Sequence, residues 1–208
     1  MKVYGFPAST CSRRVFMTLH EKDCPYEFVS VDITTGEQKQ AAHLARQPFG
    51  VVPVLDDDGF MLYESRAIIR YLDAKLSNNP LTPSDVKNFG EMEQWLSVEQ
   101  SYLSAPAVQL IKQLYFGKMQ RLTPDTIIIE NAMPKVEHAL DVAEKRLAEE
   151  PYFAGKTFSL ADISWMPYIE FLFPSGLGEL VNDRPSLKAW WERVSQRPSW
   201  VKIVGKFE

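Results

Sequence analysis

The stretch VVPVLDDDGFMLYES, residues 51–65, contains two short apolar runs on either side of an Asp/Gly turn. Two such runs around a turn signal predict an antiparallel β-hairpin. Proline cannot donate to a sheet ladder, so Pro53 is expected at an edge, a strand start or a turn. The cis form costs little at an X-Pro bond, and a cis Val52–Pro53 bond would leave the Val52 amide and carbonyl facing a ligand. The alternative is an edge proline that serves no ligand.

The residues upstream of this hairpin alternate between strand and helix patterns. Residues 2–6 predict a short strand, residues 15–21 place apolar side chains at helical spacing, and residues 27–33 alternate with period two. Downstream of the hairpin, Ser65 is expected to cap a further helix. The predicted order of elements is therefore βαβ followed by ββα.

The second part of the chain has a helical pattern throughout. LSNNPLTPSD, residues 76–85, combines two prolines with two asparagines and predicts a linker, with a domain boundary near residue 78. Beyond it, apolar stripes predict helices at 86–116, 125–148, 159–172 and 186–196, and no strand is expected. Ser159 and Asp162 predict a capping box at the start of the third of these helices. The predicted fold class is thus an α+β domain at residues 1–77 followed by an all-α domain at 86–208.

Composition argues against several classes of function. The 23 basic and 27 acidic residues leave a formal net charge of −4, so neither nucleic acid nor a membrane surface is an expected partner. No apolar run approaches the ~20 residues of a membrane helix, and MKVYGFP lacks a signal-peptide pattern, so a cytoplasmic location is expected. The two cysteines are too few for a disulfide framework, and the three scattered histidines predict no metal site.

The stretch FPASTCSRRVFM, residues 6–17, joins the first strand to the first helix and contains four adjacent side chains with possible chemistry, Ser9, Thr10, Cys11 and Ser12. Side chains at a helix N-terminus lie where an anion is stabilised, which favours a bound thiolate there. Ser9 could donate its hydroxyl hydrogen to such a sulfur. Cys11 is the rival, as a nucleophile activated by the same dipole and by the arginines that follow it.

YESRAI, residues 63–68, offers a second group of binding residues. A serine and the amides of a helix N-terminus suit a carboxylate, and Glu64 beside Ser65 suits an ammonium. Together the two residues predict a site for an amino-acid head group. The alternative is that Ser65 only caps the helix.

Five motifs, taken in order and spacing, carry a family resemblance that spans nearly the whole chain: KVYGFPAS, GEQK, ARQPFGVVPVL, LYESRAI and YFAGKTFSLADIS. The chain resembles the cytosolic glutathione transferases, nearest the phi class and its bacterial and fungal relatives. The resemblance implies a thioredoxin-like domain that binds glutathione, a helical domain that supplies much of the second-substrate pocket, and a homodimer. It implies glutathione as co-substrate and no other cofactor.

The resemblance also assigns roles to individual residues. Ser9 corresponds to the family's catalytic serine. The glutathione contacts correspond to Gln38 and Lys39 for the glycine carboxylate, Val51 and Val52 before the cis proline, and Glu64 and Ser65 for the γ-glutamyl group. Two positions depart from the family pattern, because GEHK is commoner than GEQK, and GQVP or GKVP is commoner than GVVP. Each lost hydrogen bond would weaken the glutathione complex about fivefold.

The expected function is conjugation of the glutathione thiolate to small hydrophobic electrophiles, a detoxification reaction. Tyr115, Phe116, Phe171 and Phe173 are candidate contacts for the electrophile, with core packing as the alternative. Two other functions stay open: a glutathione-dependent disulfide or dehydroascorbate reductase acting through Cys11, and a non-catalytic ligand-binding module of the same fold.

Overall fold

The computed structural model describes residues 1–204, which form two compact units. The first unit comprises Met1–Leu81 together with the residues that follow from Arg197, and the second comprises Thr82–Gln196. The predicted helical domain, 86–208, differs from this division at its C-terminal end. The reason is a group of hydrogen bonds to Glu21 in the first unit, donated by the Arg197 guanidinium (2.7 and 2.8 Å) and the Ser199 hydroxyl.

The first unit contains a mixed four-stranded sheet, as the sequence predicts. Its strands are β1 (Lys2–Gly5), β2 (Glu27–Ser30), β3 (Val54–Asp57) and β4 (Phe60–Tyr63). The spatial order is β2-β1-β3-β4, with β1 parallel to β2 and antiparallel to β3, and β3 antiparallel to β4. The βαβ and hairpin predictions are both confirmed.

Four helices belong to this unit: α1 (Thr10–Glu21), α2 (Ala41–Leu44), α3 (Ser65–Lys75) and α11 (Pro198–Val204), with a 3-10 turn at Glu37–Lys39. The apolar faces of α1 and α3 pack against each other and enclose a core that includes Val15, Leu19, Ile68 and Leu72. The apolar positions at helical spacing in residues 15–21 and 65–75 thus lie on faces that are buried in the structure.

The strand register places several loops at one edge of the sheet. Tyr4 at the end of β1 pairs with Val54 at the start of β3, and Val54 pairs with Tyr63 at the end of β4. Tyr4 also pairs with Val29 near the end of β2. The chain therefore leaves β1, β2 and β4 and enters β3 at the same end of the sheet. We call this end of the strands the site edge, which is distinct from the outer strands β2 and β4.

The second unit is helical, as predicted. Its helices are α4 (Val86–Val98), α5 (Ala105–Ile111), α6 (Gly117–Met119), α7 (Thr126–Glu149), α8 (Leu160–Leu172), α9 (Glu179–Asn182) and α10 (Pro185–Val194). Two π-helical turns, Glu99–Ser104 and Lys112–Phe116, join α4, α5 and α6. Between residues 82 and 196 the β pairing is limited to one isolated bridge, between Tyr152 and Gly155.

Helix α8 forms the centre of the second unit. Trp165 on this helix contacts the rings of Trp95 and Phe153, with centroids 5.6 and 4.7 Å apart. The predicted capping box is present, because the Asp162 carboxylate accepts from the Ser159 amide at 2.9 Å and Ser159 caps the helix. Over residues 1–204, no helix combines the length and the apolar character that crossing a bilayer demands.

Candidate active site

Ser9 is the N-cap residue of α1. Its backbone is extended (φ −80°, ψ 124°), and its Oγ accepts a hydrogen bond from the Ser12 amide at 3.3 Å. Since a hydroxyl oxygen that accepts still carries its own hydrogen, Ser9 can donate to a further partner. The side chain is partly exposed, so that partner can come from solvent. Ser9 therefore combines helix capping with a donor at the site edge.

Ser12 differs from Ser9, Thr10 and Cys11 in how deeply its side chain is buried. It is fully buried, and its Oγ accepts from the Phe6 amide at 3.2 Å. A Cβ added at Gly5 would lie 3.0 Å from this Oγ, so β1 and α1 approach each other closely here. Ser12 therefore fixes the strand-to-helix corner, while Ser9, Thr10 and Cys11 are partly exposed.

Arg14 connects the start of α1 with the start of α3. Its guanidinium is completely buried, and Nη1 donates to Ser65 Oγ at 2.6 Å and lies 3.9 Å from Cys11 Sγ. From the sequence, Arg14 is expected only as one of the two cations near a possible thiolate at Cys11. The sequence offers one signal for a link to another element, because α1 has no acidic residue three or four positions from Arg14 that could form an ion pair with it.

Glu64 and Ser65 do not follow the predicted capping arrangement. Glu64 is the N-cap of α3, at φ 70° and ψ 103°, and no side chain caps this helix. Ser65 is the first helical residue, so the prediction that it caps α3 is wrong, because its Oγ accepts from Arg14 instead. A positive φ at glutamate costs about 1–3 kcal/mol, and such backbone strain clusters at functional sites.

Gln38 and Lys39 lie on the 3-10 turn that precedes α2. Gln38 Nε2 donates to the Ile33 carbonyl at 3.4 Å, and Lys39 Nζ donates to the Phe49 carbonyl at 3.0 Å. Gly50 has a φ of 62°, and a Cβ there would lie 2.8 Å from Lys39 Cδ. The 3-10 turn is thus packed closely against the loop that enters β3.

Val51 and Val52 form the end of that loop. The Val52–Pro53 bond is cis, as predicted, and β3 begins only at Val54. The Val51 carbonyl accepts a hydrogen bond from His43 Nε2 at 2.8 Å. Neither valine belongs to the sheet ladder, so their backbone groups lie at the site edge.

The structure therefore collects all seven predicted site residues at the site edge. Ser9 follows β1, the pair Gln38 and Lys39 lies between β2 and β3, Val51 and Val52 precede β3, and Glu64 and Ser65 follow β4. Arg14 gives one direct connection between these loops. The individual roles of the seven residues stay predictions.

Two buried polar residues of the segment between β2 and β3 were missed. His43 is 3% exposed and donates to the Val51 carbonyl. Gln47 is 0% exposed, and within residues 1–204 neither end of its side-chain amide has a hydrogen-bond partner. The sequence does not single out either residue, because four-residue helices are too short to show a periodicity.

A separate surface cavity of about 460 Å³ lies by the C-terminal end of α1, and its lining includes His20, Cys24, Tyr26, Phe28 and Lys202. It contains none of the seven predicted residues. Both cysteines are free thiols. The cavity and the site edge are therefore distinct features of the first unit.

Comparison with known proteins decides the family. The model of the glutathione S-transferase N-terminal domain matches residues 3–80, and that of the C-terminal domain matches residues 103–198. Over 210 residues the chain is 37% identical to glutathione S-transferase F9 of Arabidopsis thaliana, covering 100% of this chain and 97% of that protein. The chain belongs to the glutathione S-transferase family. The family predicted from the motifs is confirmed, including its nearness to the plant phi class.

Solved glutathione S-transferases have the same fold as this one. Glutathione transferase F7 from Populus trichocarpa superimposes with a TM-score of 0.92 at 36% identity, covering 98% of this chain and 97% of that chain. Glutathione S-transferase I from maize, in complex with an atrazine glutathione conjugate, gives 0.87 at 32% identity, covering 97% and 95%. The predicted fold class is confirmed, and transferase activity is supported over the reductase and non-catalytic alternatives.

Proposed function

We propose that this glutathione S-transferase binds glutathione at the site edge and joins its sulfur to small hydrophobic electrophiles. The observation that carries the proposal is the position of Ser9, which caps α1 through its oxygen and keeps a hydroxyl hydrogen to donate. A thiolate beside that hydroxyl would also be stabilised by the N-terminal end of the helix dipole. The maize relative's complex with an atrazine glutathione conjugate supports a small organic molecule as the acceptor.

Glutathione would lie along the site edge with its charged ends at opposite loops. Glu64 and Ser65 would hold the γ-glutamyl ammonium and carboxylate, and the Val52 backbone would bind the cysteinyl part. Gln38 and Lys39 would meet the glycine carboxylate. An ammonium has three donor hydrogens, so Lys39 can bind a carboxylate while it keeps its hydrogen bond to Phe49.

In the reaction, the glutathione thiol gives up its proton to solvent, and the resulting thiolate attacks the electrophilic carbon. A carbon–sulfur bond forms, and the leaving group departs with the electron pair of the bond that breaks. Lowering the thiol pKa by two would require about 2.7 kcal/mol, which a charge-assisted hydrogen bond from Ser9 and the helix dipole can supply together. The protein contributes position and a lowered pKa, while glutathione is the nucleophile.

The helical unit would supply an aromatic surface for the electrophile. The rings of Tyr115 and Phe116, in the π-helical turn Lys112–Phe116, contact each other and the ring of Phe171 on α8, with centroids 5.0 to 5.6 Å apart. Phe173 instead stacks on Trp191 at 5.9 Å. Tyr115 and Phe116 are half-buried and are therefore the stronger candidates for substrate contact.

Ser9→Ala tests the role of the hydroxyl. Turnover of a chlorodinitrobenzene-type acceptor should fall about ten- to hundredfold at saturating glutathione, with the KM for glutathione nearly unchanged, because the lost hydrogen bond acts on the charged sulfur. Ser9→Ala also removes the cap of α1, worth about 1 kcal/mol, so the free energy of unfolding is measured in parallel. Ser9→Thr keeps the cap of α1 and the hydroxyl donor, so this variant should retain activity.

Thr10→Ala is the matched control, because it removes a hydroxyl from the neighbouring residue. Full turnover by Ser9→Ala, or an equal loss in Thr10→Ala, would contradict the proposal. Cys11→Ala tests the reductase alternative: conjugation should persist, and a selective loss of glutathione-dependent disulfide reduction would instead favour Cys11 chemistry.

We further propose that the protein is a homodimer. Phe49 is 67% exposed and contacts the ring of Tyr63 on β4, and Met61 lies two residues from Tyr63 on the same side of this edge strand. Large exposed apolar side chains on a sheet edge favour a protein partner.

A cytoplasmic location is also proposed, on the sequence patterns, and a detoxifying role and glutathione as the sole co-substrate are proposed on the family resemblance. Microscopy of the tagged full-length chain tests the location, since exclusion from the cytoplasm would contradict it. A panel of electrophiles, hydroperoxides and disulfides tests the role. Activity that depends on an added metal or cofactor would contradict the claim of a sole co-substrate.

A further inference from the structure

The loop from Gln47 to Val52 is held in place by side chains of the segment that precedes it. Lys39 Nζ donates to the Phe49 carbonyl at 3.0 Å, and His43 Nε2 donates to the Val51 carbonyl at 2.8 Å. Gly50, between the two bonded carbonyls, has a positive φ and no room for a Cβ against Lys39. Two alternate carbonyls of the loop therefore have fixed directions.

The His43 ring is buried and makes its hydrogen bond to the Val51 carbonyl. The imidazole is 3% exposed, and Nδ1 is buried without a hydrogen-bond partner in residues 1–204. A carbonyl oxygen only accepts, so the hydrogen of this bond lies on Nε2. Within the described residues the polar contact of the ring is thus the one with Val51.

The bond to Val51 also sets the direction of the Val52 amide. The Val51 carbonyl and the Val52 N–H belong to one planar peptide group, and in the trans form they point in opposite directions. The cis bond of this loop is the next one, Val52–Pro53. A side chain that fixes the Val51 oxygen therefore fixes where the Val52 hydrogen points.

This direction matters more in the present chain because of the residue at position 51. The valine side chain has no hydrogen-bonding atom, so residues 51 and 52 can offer a ligand only backbone groups. A backbone donor binds well only when its orientation is set before the ligand arrives.

We propose that His43 is a positioning residue for glutathione binding: through the Val51 carbonyl it aims the Val52 amide at the cysteinyl part of glutathione. This inference rests on the proposed function. His43 does not touch the ligand, and it acts only through the peptide group between Val51 and Val52.

The test compares His43→Phe with His43→Gln. Phenylalanine keeps a buried ring and removes the donor, whereas the glutamine amide places an N–H near the position of Nε2. Loss of the donor should raise both the Kd and the KM for glutathione about fivefold, with kcat at saturating glutathione within about twofold of wild type. His43→Gln should restore most of the affinity. Calorimetric titration gives the Kd, and steady-state kinetics give the KM and kcat.

Tyr71→Phe is the matched control. It removes the hydroxyl that donates to Asp57 at the other end of β3, so it also deletes one hydrogen bond within the first unit. This variant is expected to change the melting temperature without changing the Kd. If His43 had only a structural role, His43→Phe would behave in the same way, and the proposal would be wrong.

The other outcomes also decide the question. If the wild-type protein binds no glutathione, the proposed function and this inference fail together. If it binds glutathione and His43→Gln is as weak as His43→Phe, the hydrogen bond is not the cause and the inference alone fails. Should His43→Phe not fold, the NMR amide resonance of Val52 in the wild type decides, since it must shift when glutathione is added.

Discussion

Single buried polar side chains set the geometry of the site. Arg14 is buried in α1, yet its guanidinium directs the Ser65 hydroxyl of α3, and His43 directs the backbone at Val51. Ser9 serves two purposes, because its oxygen caps α1 while its hydrogen stays available. The residues proposed to touch glutathione thus depend on neighbours that do not touch it.

Asp162 gives a prediction about pH at the scale of one residue. Burial raises the pKa of its carboxyl to about 6 from its ordinary 3.8, against hydrogen bonds from Trp190, Ser159 and Phe153 that favour the charged form. Between these two pH values the folded state binds the proton more tightly than the unfolded state. The free energy of unfolding should therefore fall as pH rises from about 4 to 6, by up to about 3 kcal/mol from this residue.

Denaturant unfolding at a series of pH values tests this effect in wild type and in Asp162→Asn. The asparagine cannot titrate, so the variant should lose this part of the pH dependence, although it should be less stable overall because its amide cannot match the acceptors of the carboxylate. Asp183→Asn, which changes an exposed carboxyl of the same unit, should keep the wild-type profile. Equal slopes in all three proteins would rule out the proposed role of Asp162.

Residue-scale features were predictable where their cause is local. The cis bond before Pro53 and the capping box of Ser159 and Asp162 follow from neighbouring residues, and both are present. The partner of Ser65 lies 51 residues away in the sequence, so no local pattern could predict it. Ser65 was therefore assigned to the cap, although Glu64 holds that position.

At the scale of elements, length and amphipathicity decided which parts could be predicted. The four strands and the helices α1, α3, α7, α8 and α10 each carry a clear apolar pattern. The four-residue helix α2 is too short for a periodicity. The π-helical turns within residues 99–116 could not be predicted, because the chain stays helical through them and the sequence pattern indicates one continuous helix. Helix α11 was not predicted, because a proline soon after a helix indicates that the helix has ended, whereas Pro198 is the first residue of α11.

The linker after α3 is fastened to the C-terminal end of α1 by a buried ion pair. Lys22, 1% exposed, lies 2.5 Å from Asp73 and donates to the carbonyls of Asn78 and Asn79. Asp73 in turn accepts from the Leu81 amide at 2.9 Å. Lys22→Met should lower the free energy of unfolding by about 3–5 kcal/mol, because it leaves a buried carboxylate without its cation.

A second variant separates the charge from the packing. Adding Asp73→Asn to Lys22→Met should recover part of the lost stability, since the remaining side chain is neutral and can still accept from Leu81. Lys2→Met is the matched control, because the Lys2–Glu27 pair is exposed to solvent, which screens it, and its loss should change the stability little. Equal losses in Lys22→Met and Lys2→Met, measured by urea unfolding, would contradict the argument.

At the scale of the whole molecule, the chain returns to its first unit at the C-terminal end. Arg197 and Ser199 bind Glu21 at the end of α1, and Trp200 and Ile203 of α11 are buried. Sequence patterns predicted two units and their fold classes, and the family comparisons confirm both classes. The patterns could not assign α11 to the first unit, because pairing between distant segments depends on the folded core.

The proposed homodimer gives a last prediction at this scale. If Phe49 packs in the interface, Phe49→Ser should raise the dimer dissociation constant at least about tenfold, because truncating a central aromatic side chain costs more than 1 kcal/mol. Sedimentation over a range of concentrations measures this constant. Val201→Ser is the control, since Val201 is 54% exposed but lies on α11, which packs against α1. A monomeric wild type would refute the homodimer, and an unchanged constant in Phe49→Ser would place the interface elsewhere.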